Sequence, residues 1–148
     1  MSYSEIEKII LHDDTRGMSD LYQKIGKGFI ERSTKLILEK KGVIIITTGF
    51  YILSANAPET DGPPGAVALG KSLEKLGYDV FYVTDKYSYN ILSGLSGEGN
   101  IIEFPITSHI ESSTFANKLI RDYDPKSLIS IERAGLSNDG KYRNFKGE

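Results

Sequence analysis

The stretch Gly42-Val43-Ile44-Ile45-Ile46-Thr47-Thr48-Gly49 constrains the fold more than any other part of this chain. It is β-branched, apolar without alternation and bounded by glycines. A strand wetted on one side alternates polar and apolar residues. A run without alternation reads as a strand buried on both faces, as in a parallel sheet covered by helices. The residues that follow supply the partners such a strand needs. Segments 78–83, 100–104 and 127–131 read as three further strands. A helix opens at Pro63-Pro64, where a missing N–H does no harm, keeps Ala66, Leu69, Leu73 and Leu76 on one face, and ends at Gly77. A weaker helix is expected over 85–95, which holds the poor formers Ser88, Asn90, Ser93 and Gly94. A third is capped by Ser112 or Ser113, turns Phe115, Leu119, Ile120 and Tyr123 inward, and is closed by Asp124-Pro125. Segment 50–62 reads as a loop and 132–148 as a polar tail. The order βαβαβαβ predicts a Rossmann-like three-layer α/β/α fold with a parallel sheet of four strands in the order 3-2-1-4.

Upstream, residues 1–41 read as helices. Ser4 is a candidate cap, with Ile6, Ile9 and Ile10 on one side. A polar turn over 12–17 precedes a helical segment over 19–40 that carries Leu21, Ile25, Phe29 and Leu36 and breaks near Gly26 or Gly28. A length of 148 residues suits one domain, with 1–41 as its N-terminal helices and 42–148 as the sheet unit and tail. The net charge of -2 argues against nucleic acid as a partner. The lack of cysteine excludes disulfides, thiolate chemistry and cysteine-bound zinc, and fits a reducing compartment. The start, Met1-Ser2-Tyr3-Ser4-Glu5, has no signal-peptide core, and the apolar run is too short to cross a bilayer. These features predict a soluble cytoplasmic protein with no membrane partner.

No G-x-G-x-x-G follows the first strand and no P-loop occurs. Open parallel sheets bind ligands beyond the carboxyl ends of their strands, where the strand order reverses. Here that point lies between strands one and four, and the two most unusual segments follow those strands. After strand one, Glu59-Thr60-Asp61-Gly62-Pro63-Pro64-Gly65 sets acids, glycines and prolines at a helix start. The helix N-terminus favours an anion there, or Asp61 simply caps it. After strand four come Glu132 and Arg133. An arginine fork grips a carboxylate, and a glutamate serves as base or metal ligand; a local ion pair is the plainer alternative. Asn138-Asp139-Gly140 is a turn signal first. His12 and His109 form no metal-spaced pair. Tyr78, Tyr82, Tyr87 and Tyr89 lack interleaved basic residues and read as core and rim.

These segments carry a resemblance. Thr48-Gly49-Phe50, Pro58-Glu59-Thr60-Asp61-Gly62-Pro63-Pro64-Gly65-Ala66, Leu76-Gly77-Tyr78, Val83-Thr84-Asp85 and Ile131-Glu132-Arg133-Ala134-Gly135 are similar, in order, to the motifs of the D-glutamate cyclase-like family. Asp14-Thr15-Arg16-Gly17-Met18 resembles its Arg-Gly element. The later motif of the family usually reads Tyr-x-Asn-Met-Arg-Gly; here Phe145-Lys146 replaces Met-Arg. The resemblance implies a hydro-lyase that converts D-glutamate to 5-oxo-D-proline and water. It implies Glu59, Asp61 and Glu132 as catalytic groups. Arg16, Thr48, Gly49, Thr60, Gly62, Gly65, Arg133 and Asn144 would bind D-glutamate or a similar amino acid. No cofactor is fixed by it; a divalent Mn or Mg ion on Glu59, Asp61 or Asp139 is compatible, as is a homo-oligomer. The family domain runs past this length, so the chain is expected to be its N-terminal portion, with strand four an exposed edge and weak activity by itself. Two other readings fit the same residues: a non-catalytic module for a small anion or amino acid, and an inactive fragment of such an enzyme.

Overall fold

A computed structural model describes residues 1–15, 17–97, 99–144 and 147. The chain divides into two compact units, Met1–Lys41 and Gly42–Glu148.

The first unit holds α1 (Tyr3–Ile10), α2 (Met18–Ile25) and α3 (Phe29–Leu38). Ser2, not Ser4, caps α1. Its hydroxyl accepts from Glu5 N–H while the Glu5 carboxylate accepts from Ser2 N–H at 2.6 Å, a reciprocal pair; the glutamate three residues beyond Ser4, Glu7, is engaged with Tyr22, Gly28 and Ile30 instead. The expected break at Gly26–Gly28 separates α2 from α3. Both ends of that break are satisfied by side chains. Glu7, only 2% exposed, accepts from Gly28 N–H (3.1 Å), Ile30 N–H (3.2 Å) and the Tyr22 hydroxyl (3.2 Å), and so closes the start of α3. Arg32 donates to the Ile25 carbonyl at 2.8 Å and closes the end of α2.

The second unit runs β1 (Val43–Thr48), β2 (Tyr51–Ile52), β3 (Ala57–Pro58), α4 (Gly62–Lys75), β4 (Asp79–Thr84), α5 (Tyr89–Ser96), β5 (Ile101–Glu103), α6 (His109–Tyr123) and β6 (Ser127–Ile131). Four strands form one parallel sheet in the order β5-β4-β1-β6, which is the 3-2-1-4 order expected. Ile44, Ile45 and Ile46 are each fully buried because both faces of β1 are covered. On one face Ile45 and Val83 pack with Leu119, Phe115 and Tyr123 of α6. The alternate residues Ile44, Ile46, Val80 and Tyr82 are buried on the other face, where α4 adjoins β1, β4 and β6 and contributes Ala66, Val67 and Leu73. The result is a three-layer α/β/α unit. β6 is an edge strand, and Leu128, level with Ile45 on the α6 face, is 59% exposed.

Three local expectations need correction. Segment 50–62 is not plain loop: β2 and β3 pair as a short antiparallel ribbon, Tyr51 with Pro58 and Ile52 with Ala57. The Tyr51 ring stacks 4.3 Å from that of Tyr87, which holds the ribbon on the unit. α5 begins at Tyr89, not at residue 85, because the Asp85 carboxylate accepts from Tyr87 N–H (3.0 Å) and Ser88 N–H (3.4 Å) and holds those residues in a turn. α6 starts a full turn early, capped by Ser108 and boxed by Glu111, because only that serine has an acid three residues on.

Candidate functional site

Three strand ends meet at one edge of the sheet. β1 ends at Thr48-Gly49, β4 at Thr84-Asp85 and β6 at Ile131-Glu132-Arg133. The chain leaves β1, makes the β2–β3 ribbon and returns, with Glu59 N–H donating to the Phe50 carbonyl at 2.7 Å. That return sets Glu59 and Asp61 at the mouth of α4, beside the end of β6. Carboxylate oxygens of Glu59, Asp61 and Glu132 all lie within 4.8 Å of one another.

Gly62 explains how Glu132 comes so near. A Cβ built on Gly62 would lie 2.7 Å from Glu132 Cβ and 2.8 Å from Thr48 Oγ1, closer than real side chains approach. Only glycine lets α4 begin between these two residues. Glu132 itself takes φ 46°, the left-handed region, which few non-glycine residues enter. Thr48 Oγ1 is fully buried and has no hydrogen-bond partner. Such a hydroxyl typically costs about 1–3 kcal/mol when left unpaired.

Arg133, next to Glu132 in the chain, reaches across the end of β1. Its Nη1 donates to the Gly49 carbonyl at 2.9 Å and pairs with the Asp85 carboxylate, of which only 9% of the side-chain surface is exposed. The pair spans the end of β1 from β6 to β4. Gly49 lies beneath it at φ 119°, where a Cβ would meet Thr84 Oγ1 and Ser88 Oγ at 2.8 Å each. Thr84 Oγ1 donates to the Thr48 carbonyl at 2.8 Å, whereas the buried Ser88 Oγ has no partner. Both of these contacts use Nη1.

The helix start offers an anion less than its position suggests. Gly62 N–H is taken at 3.0 Å by the Asp61 carboxylate, and the next two residues, Pro63 and Pro64, have no N–H. With three acids at hand, this mouth suits a cation or an ammonium group better than a carboxylate.

The remaining expected site residues fall as follows. Thr60 and Gly65 are exposed near the acids, and a Cβ on Gly65 would meet nothing within 4 Å. Asp139 is engaged elsewhere: it pairs with Arg143 and accepts from Ser137 Oγ at 2.7 Å, and these bonds hold its carboxyl below the usual carboxylate range. Among the described residues it does not belong to the group formed by the three acids. Asn144 is half-buried in the tail, where its carbonyl accepts from Gly147 N–H at 3.0 Å. Arg16, Phe145 and Lys146 lie outside the described residues. Sequence reasoning missed Asp85, Thr84 and Ser88. Their signal was their position, directly after the strand beside β1. A cavity of about 520 Å³ opens at the opposite end of the sheet and is lined by residues that include Val43, Tyr78, Asp79 and Tyr123. Open parallel sheets place their chemistry at the carboxyl ends instead, and the convergent polar groups are there. Among the described residues no helix is long and apolar enough to cross a membrane.

The family described as "D-glutamate cyclase-like, C-terminal" matches residues 6–148. The chain belongs to the D-glutamate cyclase-like family. A human protein named "D-glutamate cyclase, mitochondrial" is 35% identical over 117 residues, covering 70% of this D-glutamate cyclase-like chain and 19% of the human protein. The chain thus spans about a fifth of the length of the curated relative it matches.

Proposed function

We propose that this chain carries the D-glutamate site of a cyclase-type hydro-lyase that forms 5-oxo-D-proline and water. The observation that carries the reading is the meeting of Glu59, Asp61 and Glu132 beside an arginine, at the sheet end where this fold binds ligands, in a member of this family.

The chemistry asks for such a group. The substrate amine attacks its own side-chain carboxyl carbon. A C–N bond forms, a C–O bond breaks, and the departing oxygen leaves as water. The ammonium gives up two protons in all, and that oxygen takes up two. A base that kept the protons would stall the reaction; neighbouring carboxylates can accept and return them. Asp61 and Glu132 serve as that relay and Glu59 steadies the ammonium. The Nε–Nη2 edge of Arg133, aimed by Asp85 and the Gly49 carbonyl, grips the α-carboxylate. Holding the substrate folded contributes much of the acceleration, since ring closure needs two ends of one flexible molecule in contact. The cysteine-free composition leads us to place the chain in the cytoplasm, although the human relative is named mitochondrial; fractionation of tagged protein decides that point.

The test is D-glutamate binding by calorimetry, with L-glutamate as control, followed by chromatography for 5-oxo-D-proline. D-glutamate is expected to bind and to be turned over slowly, and both effects should be lost in Asp61→Asn and Glu132→Gln. If neither enantiomer binds, the reading fails.

A further inference from the structure

The β2–β3 ribbon joins neither edge of the main sheet and holds only two residue pairs. A two-stranded ribbon of that size does not keep its shape unaided. Yet it delivers two of the three acids. Tyr51 of β2 stands opposite Pro58 of β3, the residue before Glu59. Glu59 N–H in turn donates to the carbonyl of Phe50, the residue before Tyr51. Where Tyr51 goes Glu59 follows, with Asp61 two residues on.

Tyr51 is held from the side. Its ring lies 4.3 Å from that of Tyr87, tilted by 35°, and Lys86 Nζ lies 5.0 Å from the centre of the Tyr87 ring. Tilted rings in contact have a preferred geometry as well as buried area, so the pair fixes a position rather than merely excluding water. The Tyr51 hydroxyl donates to Asn56 Oδ1 at 2.8 Å, a bond internal to the ribbon; the ring is what reaches the body. Tyr87 is fixed through its backbone, since its N–H donates to Oδ1 of Asp85 at 3.0 Å. The other oxygen of that carboxylate, Oδ2, takes Nη1 of Arg133. Asp85 is buried and follows directly on β4, an interior strand. One carboxylate thus stands between the two halves of the site, with the arginine on one oxygen and, through Tyr87 and Tyr51, the ribbon acids on the other.

We infer that Tyr51 and Tyr87 are positioning residues that hold Glu59 and Asp61 in place, and that Asp85 sets this latch and Arg133 in one common frame. The inference deepens the functional reading and rests on it for what the acids do. All three residues act through others and need not touch the substrate.

The test begins on the whole chain without ligand, by nuclear magnetic resonance. Tyr51→Leu and Tyr87→Leu are expected to shift the amide resonances of Glu59, Thr60 and Asp61. Tyr51→Phe and Tyr87→Phe, which keep the rings, should leave them near wild type. Asp85→Ala should shift these amides together with those of Gly49 and Arg133, whereas Asp85→Asn, which keeps the turn acceptor, should shift the Gly49 and Arg133 pair alone. Calorimetry with D-glutamate follows. The leucine variants should bind at least about tenfold more weakly, as misplaced groups do, and the phenylalanine variants like wild type. All four should melt close to wild type, because the stack lies at the rim, with Tyr87 42% exposed. Should a leucine variant fold poorly, wild-type protein still answers: nuclear Overhauser contacts between the two rings are required. Missing ring contacts overturn the inference. So do amides of Glu59 to Asp61 that stay in place when either ring is removed, or that move as far in the phenylalanine variants. Leucine variants that bind D-glutamate as wild type does overturn it too. If those amides move as expected but wild-type protein binds no D-glutamate, the functional reading fails and the latch stands.

Discussion

Gly62→Ala separates the two things a glycine can do in this helix. At the first position of α4, alanine should help, because glycine in helices costs up to about 1 kcal/mol. The surroundings forbid it. The added methyl would lie 2.7 Å from Glu132 Cβ, 3.4 Å from its Cγ and 2.8 Å from Thr48 Oγ1. Carbon atoms in comfortable contact stand about 3.5–4.0 Å apart, so the overlap with Glu132 Cβ is roughly 1 Å. Neither neighbour yields cheaply: Thr48 is fully buried in β1, and Glu132 Cβ moves only with its backbone. The end of β6 or the start of α4 must therefore shift by about that distance. Overpacking of this kind costs about 1–3 kcal/mol, and the helix gain offsets part of it, leaving a net loss of roughly 0–2 kcal/mol. The effect on the site should be far larger, since misplacement by about 1 Å is worth on the order of a hundredfold in function. Gly65→Ala is the control: its methyl would meet nothing within 4 Å, and it should be neutral or slightly stabilising. The chain has nine tyrosines and no tryptophan, so urea unfolding is best followed by far-ultraviolet circular dichroism. Calorimetry with D-glutamate completes the comparison. A Gly62→Ala protein that binds D-glutamate like wild type, or that is stabilised as much as Gly65→Ala, would refute the claim that this close approach holds Glu132 in place.

Substitutions at Gly70, Tyr82, Glu7 and Asp85 test other joints of the molecule. Gly70→Ala in α4 should destabilise by about 1–3 kcal/mol despite better helix propensity, because its methyl would fall 2.0 Å from the hydroxyl of the buried Tyr82 ring. Tyr82→Phe, which removes a buried hydroxyl without a partner, should cost little alone and partly rescue Gly70→Ala in urea melts. Burial pushes the Glu7 carboxyl up, but bonds from Gly28, Ile30 and Tyr22 outweigh it and hold the group below its ordinary 4.5. A depressed folded value means stability present above about pH 4.5 and lost as acid titrates the group. The α1–α3 unit should therefore loosen in acid, seen as growing hydrogen exchange at Gly28 and Ile30, and Glu7→Gln should loosen it at neutral pH and flatten the acid response. Asp85→Asn keeps the acceptor for the turn at Tyr87 and Ser88 but loses the ion pair with Arg133. It should cost roughly 1 kcal/mol of stability and weaken D-glutamate binding, whereas Asp85→Ala, losing the turn as well, should cost about 2–3 kcal/mol. Equal stability of the two would show that the turn bonds contribute nothing.

The sheet was legible because it is written in local pattern. An unalternating run such as Val43–Thr48 has one comfortable environment, and once β1 is central the partners and their order follow. The meeting of Glu59 and Asp61 with Glu132 was legible for the same reason, since neighbouring parallel strands end side by side. What stayed hidden depends on contacts between residues distant in sequence. Arg133 and Asp85 stand on strands that are not adjacent, with β1 between them, and no spacing in the chain announces their bond. The β2–β3 ribbon has only two residues on each side, too few to show alternation. The cap at Ser108 was readable in principle from the glutamate three residues beyond it, whereas Ser2 and Ser4 each have a glutamate at that spacing and only the engagement of Glu7 with α3 decides between them. The serines at 4, 112 and 113 lie nearer the apolar faces, which by themselves do not locate a helix start. The prolines after Gly62 were visible throughout, yet their effect on anion binding emerges only with the Asp61 carboxylate seated on the last available N–H.

Glu132 occupies a backbone region that glycine and asparagine visit readily and that costs other residues about 1–2 kcal/mol. Drift toward either of those residues would be rewarded with a sturdier fold as soon as the carboxylate lost its use. An acid retained there is therefore a mark of continuing employment. Among relatives, the identity of this single position should sort lineages that still perform the chemistry from those that have retired from it.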